Sequence, residues 1–233
     1  MSTKNNIGII GANGFVGNKL SIILKKENLK YEKVTRDNYE YFKDKNNFSH
    51  VINCAMPSGR FWSKNNPSED FKETVLKTFN IKNDFLESKI IQISSISAKV
   101  QLDTVYGRNK RAAELILDPQ KDLIIRLGPI YDSSMQKGAL IDIVKSNKVF
   151  VSGDTKYAFT PLDWACLEIL NMKDKTGIFE VGSKNYITLK ELRDTINSNS
   201  DFEGFKDDQI FPNAGESCPD ANDVIDFARK LVN

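Results

Sequence analysis

The chain has 233 residues, enough for one sizeable core, or one domain with a small appendage. Its 33 basic and 31 acidic residues leave a formal charge of +2, and 40% of the residues are hydrophobic. That balance gives no basic or acidic surface suited to nucleic acid or a membrane, and no apolar run reaches the roughly 20 residues that span a bilayer. The polar start Met1-Ser2-Thr3-Lys4-Asn5-Asn6 leads directly into an apolar run, so no signal peptide is expected. That run, Ile7-Gly8-Ile9-Ile10, ends in Gly11-Ala12-Asn13-Gly14-Phe15-Val16-Gly17, three glycines spaced three apart. A helical pattern through Leu20, Ile23 and Leu24 follows at once. Strand, glycine turn and helix in this order suit a dinucleotide pyrophosphate. Gly11 permits the tight turn, Gly14 lets backbone approach the phosphates, and Gly17 lets the helix pack close to the strand. The helix N-terminus offers N–H groups to the anion.

A second strand is expected over 31–37, and its end is where such a fold meets the adenosine ribose. Thr35 and Arg36 stand there, and Arg36 suits a 2′-phosphate, which points to NADP. A shift of two residues would instead bring Asp37 into place as an acidic ribose ligand, for NAD. Residues 38–49 suit a short helix or turn. The single histidine, His50, precedes the buried strand Val51-Ile52-Asn53-Cys54-Ala55 and reads as a strand-start residue. One histidine excludes a His-rich metal site, and no metal is expected. Met56 to Trp62 reads as a loop at the carboxyl end of that strand, with Ala55 at the cofactor and Arg60 and Trp62 as candidates to touch substrate.

Asn66-Pro67-Ser68-Glu69 opens a long helix, whose apolar side is expected from Phe71, Val75, Leu76, Phe79, Ile81, Phe85 and Leu86. Lys89 to Ser95 is a strand ending in two hydroxyls, Ser94 and Ser95, and a helix over 106–117 follows. Asp122 to Leu127 is a further strand, broken by Gly128-Pro129. The alternation predicts a parallel, doubly wound α/β sheet. Beyond it come a helix near 139–146, a strand and turn over 148–154, a helix after Asp163, a strand over 177–182, and a helix capped by Thr188 and Glu191. Residues 198–220 read as loop, and 223–231 as a closing helix. The three cysteines, Cys54, Cys166 and Cys218, are odd in number and far apart, and read as reduced thiols of a cytoplasmic protein.

Tyr106 and Lys110, four apart, share one helix face. A lysine ammonium beside a phenol favours phenolate and lowers its pKa from about 10. Such a tyrosine can exchange a proton with a carbinol or carbonyl while hydride moves to or from nicotinamide. Lys110 can also hold the nicotinamide ribose, and Ser95 or Ser94 can polarise the substrate oxygen.

These segments together resemble the extended short-chain dehydrogenase/reductase superfamily, the NAD-dependent epimerase/dehydratase group that acts mostly on nucleotide sugars. Gly11 to Gly17 is similar to the family's G-x-x-G-x-x-G, and Tyr106-Gly107-Arg108-Asn109-Lys110 to its Y-x-x-x-K helix. Ile93-Ser94-Ser95 matches the strand carrying the catalytic Ser or Thr, with Ser95 in register. Arg126 to Tyr131, Phe159 to Asp163 and Thr188 to Leu192 resemble later family segments. The resemblance implies a Rossmann domain over 1–131, completed by parts of 132–190, and a small substrate-binding subdomain within 132–233. It implies Tyr106, Lys110 and Ser95 as the catalytic trio. It implies a cofactor, NADP preferred over NAD, at Gly11, Asn13, Gly14, Phe15, Val16, Gly17, Arg36, Ala55 and Lys110. Arg60, Trp62 and Ser94 fall to the substrate, expected to be a nucleotide-linked sugar. A homodimer through the helices near 69–87 and 106–117 is also implied.

The chain departs from the family in several places. Thr74 stands where the family usually has asparagine. Ile96-Ser97 replace the Asp-Glu pair of the sugar 4,6-dehydratases, which argues against that elimination. Trp164 follows Asp163 where a second acid is common, and Tyr157-Ala158 replace a usual arginine. An epimerase and a keto-sugar reductase use the same trio, and the sequence does not separate them. A non-catalytic dinucleotide sensor or scaffold is the alternative.

Overall fold

The computed structural model describes residues 6–232. Strand β1, Ile7–Ile10, is buried at every position, as a strand covered on both faces must be. Helix α1, Phe15–Lys26, buries Leu20, Ile23 and Leu24 and carries lysines in its last turn. Strand β2 is shorter than expected, Tyr31–Val34. The Asn38 side chain ends it by accepting from the Thr35 amide at 2.7 Å and donating to the Lys33 carbonyl at 3.0 Å. Helix α2, Tyr39–Lys45, stops at Asn46, whose φ is +35°. Strand β3 is His50–Asn53. His50 holds its strand start, contacting Ser49 Oγ through Nδ1 at 2.9 Å and Asp174 through Nε2 at 3.2 Å.

The expected loop before residue 66 is partly helical, and the long helix after it is broken. Helix α3 is Arg60–Asn65, and α4, Pro67–Phe71, runs into a π turn at Lys72–Leu76 before α5, Lys77–Asp84. The wider turn rotates the later residues relative to an ideal helix. Phe71, Leu76, Phe79 and Leu86, read from sequence as the apolar side, are exposed. Ile81 and Phe85 are buried as expected, and the polar Asp70, Thr74 and Thr78 share the buried face. Strand β4, Lys89–Ser95, leads through α6, Ser97–Val100, to α7, Val105–Ile116, whose N-cap Thr104 accepts from the Gly107 amide. Strand β5 is Leu123–Leu127.

The remaining elements are short: β6, Ile130–Tyr131; α8, Ala139–Val144; β7, Lys156–Tyr157; β8, Thr160–Pro161; α9, Leu162–Asn171; and β9, Gly177–Val181. Strand β10, Ile187–Thr188, helix α10, Leu189–Thr195, and helix α11, Asp223–Val232, complete them. The strand expected over 148–154 is reduced to an isolated bridge between Val149 and Phe202. The capping box of α10 is present, Thr188 and Glu191 each accepting from the other's backbone.

The central sheet has six strands in the order β2-β1-β3-β4-β5-β9, and β2, β1, β3 and β4 pair in parallel. The architecture is a Rossmann-type doubly wound α/β fold. Strand order reverses between β1 and β3, which places the ligand crevice at their carboxyl ends. The chain divides into two compact units, residues up to 126 with 166–179, and 127–165 with 180–233. The first holds a core of Ile10, Val34, Phe48, Val51, Phe85 and Ile90. The second holds two two-stranded sheets, β10 with β7 and β6 with β8, around Leu140, Tyr157, Phe159, Leu189, Leu192 and Val224. No helix of the described residues is long and apolar enough to cross a membrane.

Candidate active site

The glycine turn has the geometry that a dinucleotide requires. Gly11 adopts φ +81°, and a Cβ there would lie 2.8 Å from the Ala55 backbone nitrogen, so the ends of β1 and β3 touch at this point. The Gly14 amide closes the turn on the Gly11 carbonyl at 2.9 Å. At Gly17 a Cβ would sit 2.3 Å from the Gly11 carbonyl oxygen, so only glycine lets α1 start so close to the turn. Gly14 is the N-cap of α1 and no side chain caps that end. Asn13 and Gly14 are exposed, while Phe15 and Val16 are half-buried. A backbone cradle that any Cβ would fill, at an uncapped helix N-terminus, fits a pyrophosphate. Ala55 is held by its amide, which donates to Asn53 Oδ1 at 3.1 Å.

Arg36 lies two residues past β2 and is 90% exposed, 3.7 Å from Glu73. Glu73 also pairs with Lys77, whose ammonium donates to the Ala55 carbonyl at 3.2 Å. The first unit therefore has a string of charges, Arg36, Glu73 and Lys77, reaching the end of β3.

The hydroxyl at the end of β4 and the helix α7 meet at Tyr106. Ser95 stands beside the Tyr106 phenol and favours its ionisation, and the Ser95 hydroxyl lies 3.2 Å from Ser97 Oγ. Helix α7 starts hard against the end of α6 because residue 107 is glycine: a Cβ there would fall 2.1 Å from the Gln101 carbonyl oxygen. Tyr106 and Lys110 are both buried, and the Lys110 ammonium is 5.1 Å from the centroid of the Tyr106 ring. Burial holds the Tyr106 phenol above its usual range, against the lowering expected from the sequence. Ser95 and the Arg60 charge act in the opposite sense, towards ionisation. Burial pulls Lys110 down to about 7, with the Asp70 carboxylate resisting and the Lys77 cation adding to the fall.

Ser94 is differently engaged. It donates to Glu114 Oε1 at 2.7 Å, under the site, and Glu114 accepts two bonds from Arg126 at 2.9 and 2.6 Å. Its hydroxyl is thus committed to a buried ion cluster, which leaves Ser95 as the hydroxyl beside Tyr106. Arg60 opens α3 rather than lying in a loop, and Trp62 follows on the same helix, half exposed.

The sequence reading missed Asp70. It is completely buried, yet it accepts from Ser63 at 2.9 Å and from Asn109 at 2.7 Å, with Thr74 at 3.5 Å. The signal was present as polar residues at 70, 74 and 78, one turn apart, but the apolar residues between them masked it.

No protein-family model matches the chain, and no curated protein does. Many solved structures share its fold. TunA, an NAD-dependent NDP-hexosamine 5,6-dehydratase involved in tunicamycin biosynthesis, superposes with a TM-score of 0.81 at 11% identity, over 97% of either chain. The dTDP-4-dehydrorhamnose reductase of Bacillus anthracis, solved with NADP, gives 0.78 at 15% identity, over 97% of this chain and 98% of its own. The UDP-glucose 4-epimerase of Thermus thermophilus, solved with NAD, gives 0.74 at 14% identity, over 96% and 99%.

Proposed function

We propose that this chain, whose fold is that of the extended short-chain dehydrogenase/reductases, is an NAD(P)-dependent oxidoreductase or epimerase acting on a carbonyl or hydroxyl of a nucleotide-linked sugar. The observation that carries the reading is the cluster of half-buried Ser95 with buried Tyr106 and Lys110 on the unit that holds the glycine turn. Structural neighbours named for sugar-nucleotide reduction, dehydration and epimerisation support the substrate class.

The bound nicotinamide supplies hydride exchange with the sugar carbon. The chain's own residues do the rest. Gly11, Gly14 and Gly17 shape the cradle for the pyrophosphate, with Asn13, Phe15 and Val16 on its rim. Ala55 closes the crevice at the end of β3. Lys110 holds the nicotinamide ribose by its ammonium. Ser95 donates to the substrate oxygen and orients it, and Tyr106 gives or takes the proton at that oxygen. Arg60, whose charge acts on Tyr106, stabilises the phenolate form. Arg36, exposed past β2, suits the 2′-phosphate of NADP: its contact with Glu73 is solvated, and a phosphate is the stronger partner. The exposed Phe71, Phe79 and Leu115 support a homodimer through α4, α5 and α7.

The test is turnover of nucleotide-linked keto sugars with NADPH and with NADH. Tyr106→Phe is expected to lower kcat by about 10²- to 10⁴-fold, the usual contribution of a positioned acid or base. Stoichiometric NADPH oxidation identifies a reductase, and turnover with cofactor retained an epimerase. Full activity of Tyr106→Phe, or no dinucleotide binding by the wild type, refutes the assignment and leaves the non-catalytic scaffold.

A further inference from the structure

A carboxylate with no exposed surface, such as Asp70, must find compensation for its charge, because an unpaired ion taken out of water is strongly destabilising. Asp70 has three neighbours that donate, Ser63 on α3, Thr74 on the π turn and Asn109 on α7, and all three are neutral. They orient the carboxylate but carry no positive charge to offset it. The Asn109 bond, at 2.7 Å, fixes Asp70 to α7 at the residue immediately before Lys110. Lys110 is the buried cation of this region, with 3% of its surface exposed.

We propose that Asp70 is a positioning residue of this site, the buried counter-charge that favours the ammonium form of Lys110. The inference deepens the proposed function and takes its catalytic meaning from Lys110 as ribose ligand. The other charges around the pair are engaged elsewhere. Lys77, the like charge that acts on Lys110, is paired with Glu73. Glu114, one turn further along α7, is committed to Arg126 and Arg111. Arg60 acts on Tyr106. Asp70 is thus the negative charge whose field reaches Lys110, working against the burial that would strip its proton. Ser63, Thr74 and Asn109 keep that carboxylate in one orientation, so the charge is fixed before a cofactor arrives. Burial already draws Lys110 down to about 7, so a neutral side chain at position 70 would leave a smaller share of it as ammonium at neutral pH, and the uncharged amine gives up its electrostatic hold on an anionic cofactor and on a tyrosinate.

The experiment reads Lys110 directly, on the full chain labelled with ¹³C at lysine Cε. The resonance of Lys110 is identified by its loss in Lys110→Arg, and its chemical shift is followed against pH. In Asp70→Asn the midpoint is expected to fall by about one pH unit or more, the effect of deleting an opposite charge close by, while the other lysine resonances titrate as before. Asp70→Ser, smaller and also neutral, is measured alongside, so that a folding defect in one variant leaves the other to decide. Coincident midpoints in wild type and variant overturn the proposal, because a purely structural Asp70 would not move this titration. NADPH binding, followed by cofactor fluorescence at about pH 7, tests the underlying function separately. Failure to bind NADPH or NADH defeats the proposed function, while the shift of the Lys110 midpoint still decides the role of Asp70.

Discussion

Glu114 offers the sharpest energetic prediction. It is 2% exposed, on the same face of α7 as Lys110, and its two oxygens receive Arg126 twice, Ser94 at 2.7 Å and Arg111 at 3.0 Å. Arg126, from β5, is itself buried. In Glu114→Ala a buried guanidinium loses its bidentate partner, and Ser94 and Arg111 lose an acceptor with it. Breaking a buried pair from one side costs about 3–5 kcal/mol, because the remaining charge stays desolvated. Against a total stability of about 5–15 kcal/mol that is a large fraction. For a chain of this size it corresponds to a fall of about 6–20 °C in the thermal midpoint. Urea unfolding followed by circular dichroism measures it. The control is Glu114→Leu combined with Arg126→Met, which replaces the pair by apolar side chains of similar bulk and is expected to recover most of the loss. A cost below about 1 kcal/mol for Glu114→Ala, the range of solvated pairs, would refute the claim that this cluster is a desolvated ion pair.

Two other predictions follow from packing and from titration. Gly17→Ala places a Cβ 2.3 Å from the Gly11 carbonyl oxygen, so the turn must open; a loss of about 1–3 kcal/mol and of dinucleotide binding is expected, read by unfolding and by fluorescence titration. His50 is held below its usual range, chiefly by burial, with the Asp174 charge only partly offsetting it. The unfolded chain therefore takes up the proton first, and stability is expected to decline as pH falls through about 6.5. His50→Asn should flatten that part of the stability profile measured between about pH 7 and 5; an unchanged slope would show that His50 does not report the burial described.

How far the sequence could be read depended on whether a residue's role was local. The glycine turn was legible because its requirements are backbone requirements: a positive φ at Gly11 and no room for a Cβ at Gly17. The neighbours Tyr106 and Lys110 were legible because helical spacing alone puts them on one face. The capping box at Thr188 and Glu191 was legible for the same reason. The end of β2 was misjudged by three residues because a side chain, Asn38, ends the strand through contacts that propensity does not record. The helix after Pro67 was misread more seriously. Phe71, Leu76, Phe79 and Leu86 were assigned inward but are exposed, whereas Ile81 and Phe85 are buried as expected and Asp70, Thr74 and Thr78 share that buried face.

The sequence by itself determined the alternation of strands and helices, the glycine turn and the Tyr-Lys helix, since each is written within a few consecutive residues. Only the tertiary structure decided which charges face one another. It set Ser94 on Glu114 and Ser95 on Tyr106, though the two serines are adjacent, because successive side chains of a strand point to opposite faces. It also raised Tyr106 and lowered Lys110, because desolvation is set by everything packed around a group rather than by its neighbours in the chain. And it brought Asp70 to Asn109 across 39 residues, a contact that no local pattern in the sequence encodes.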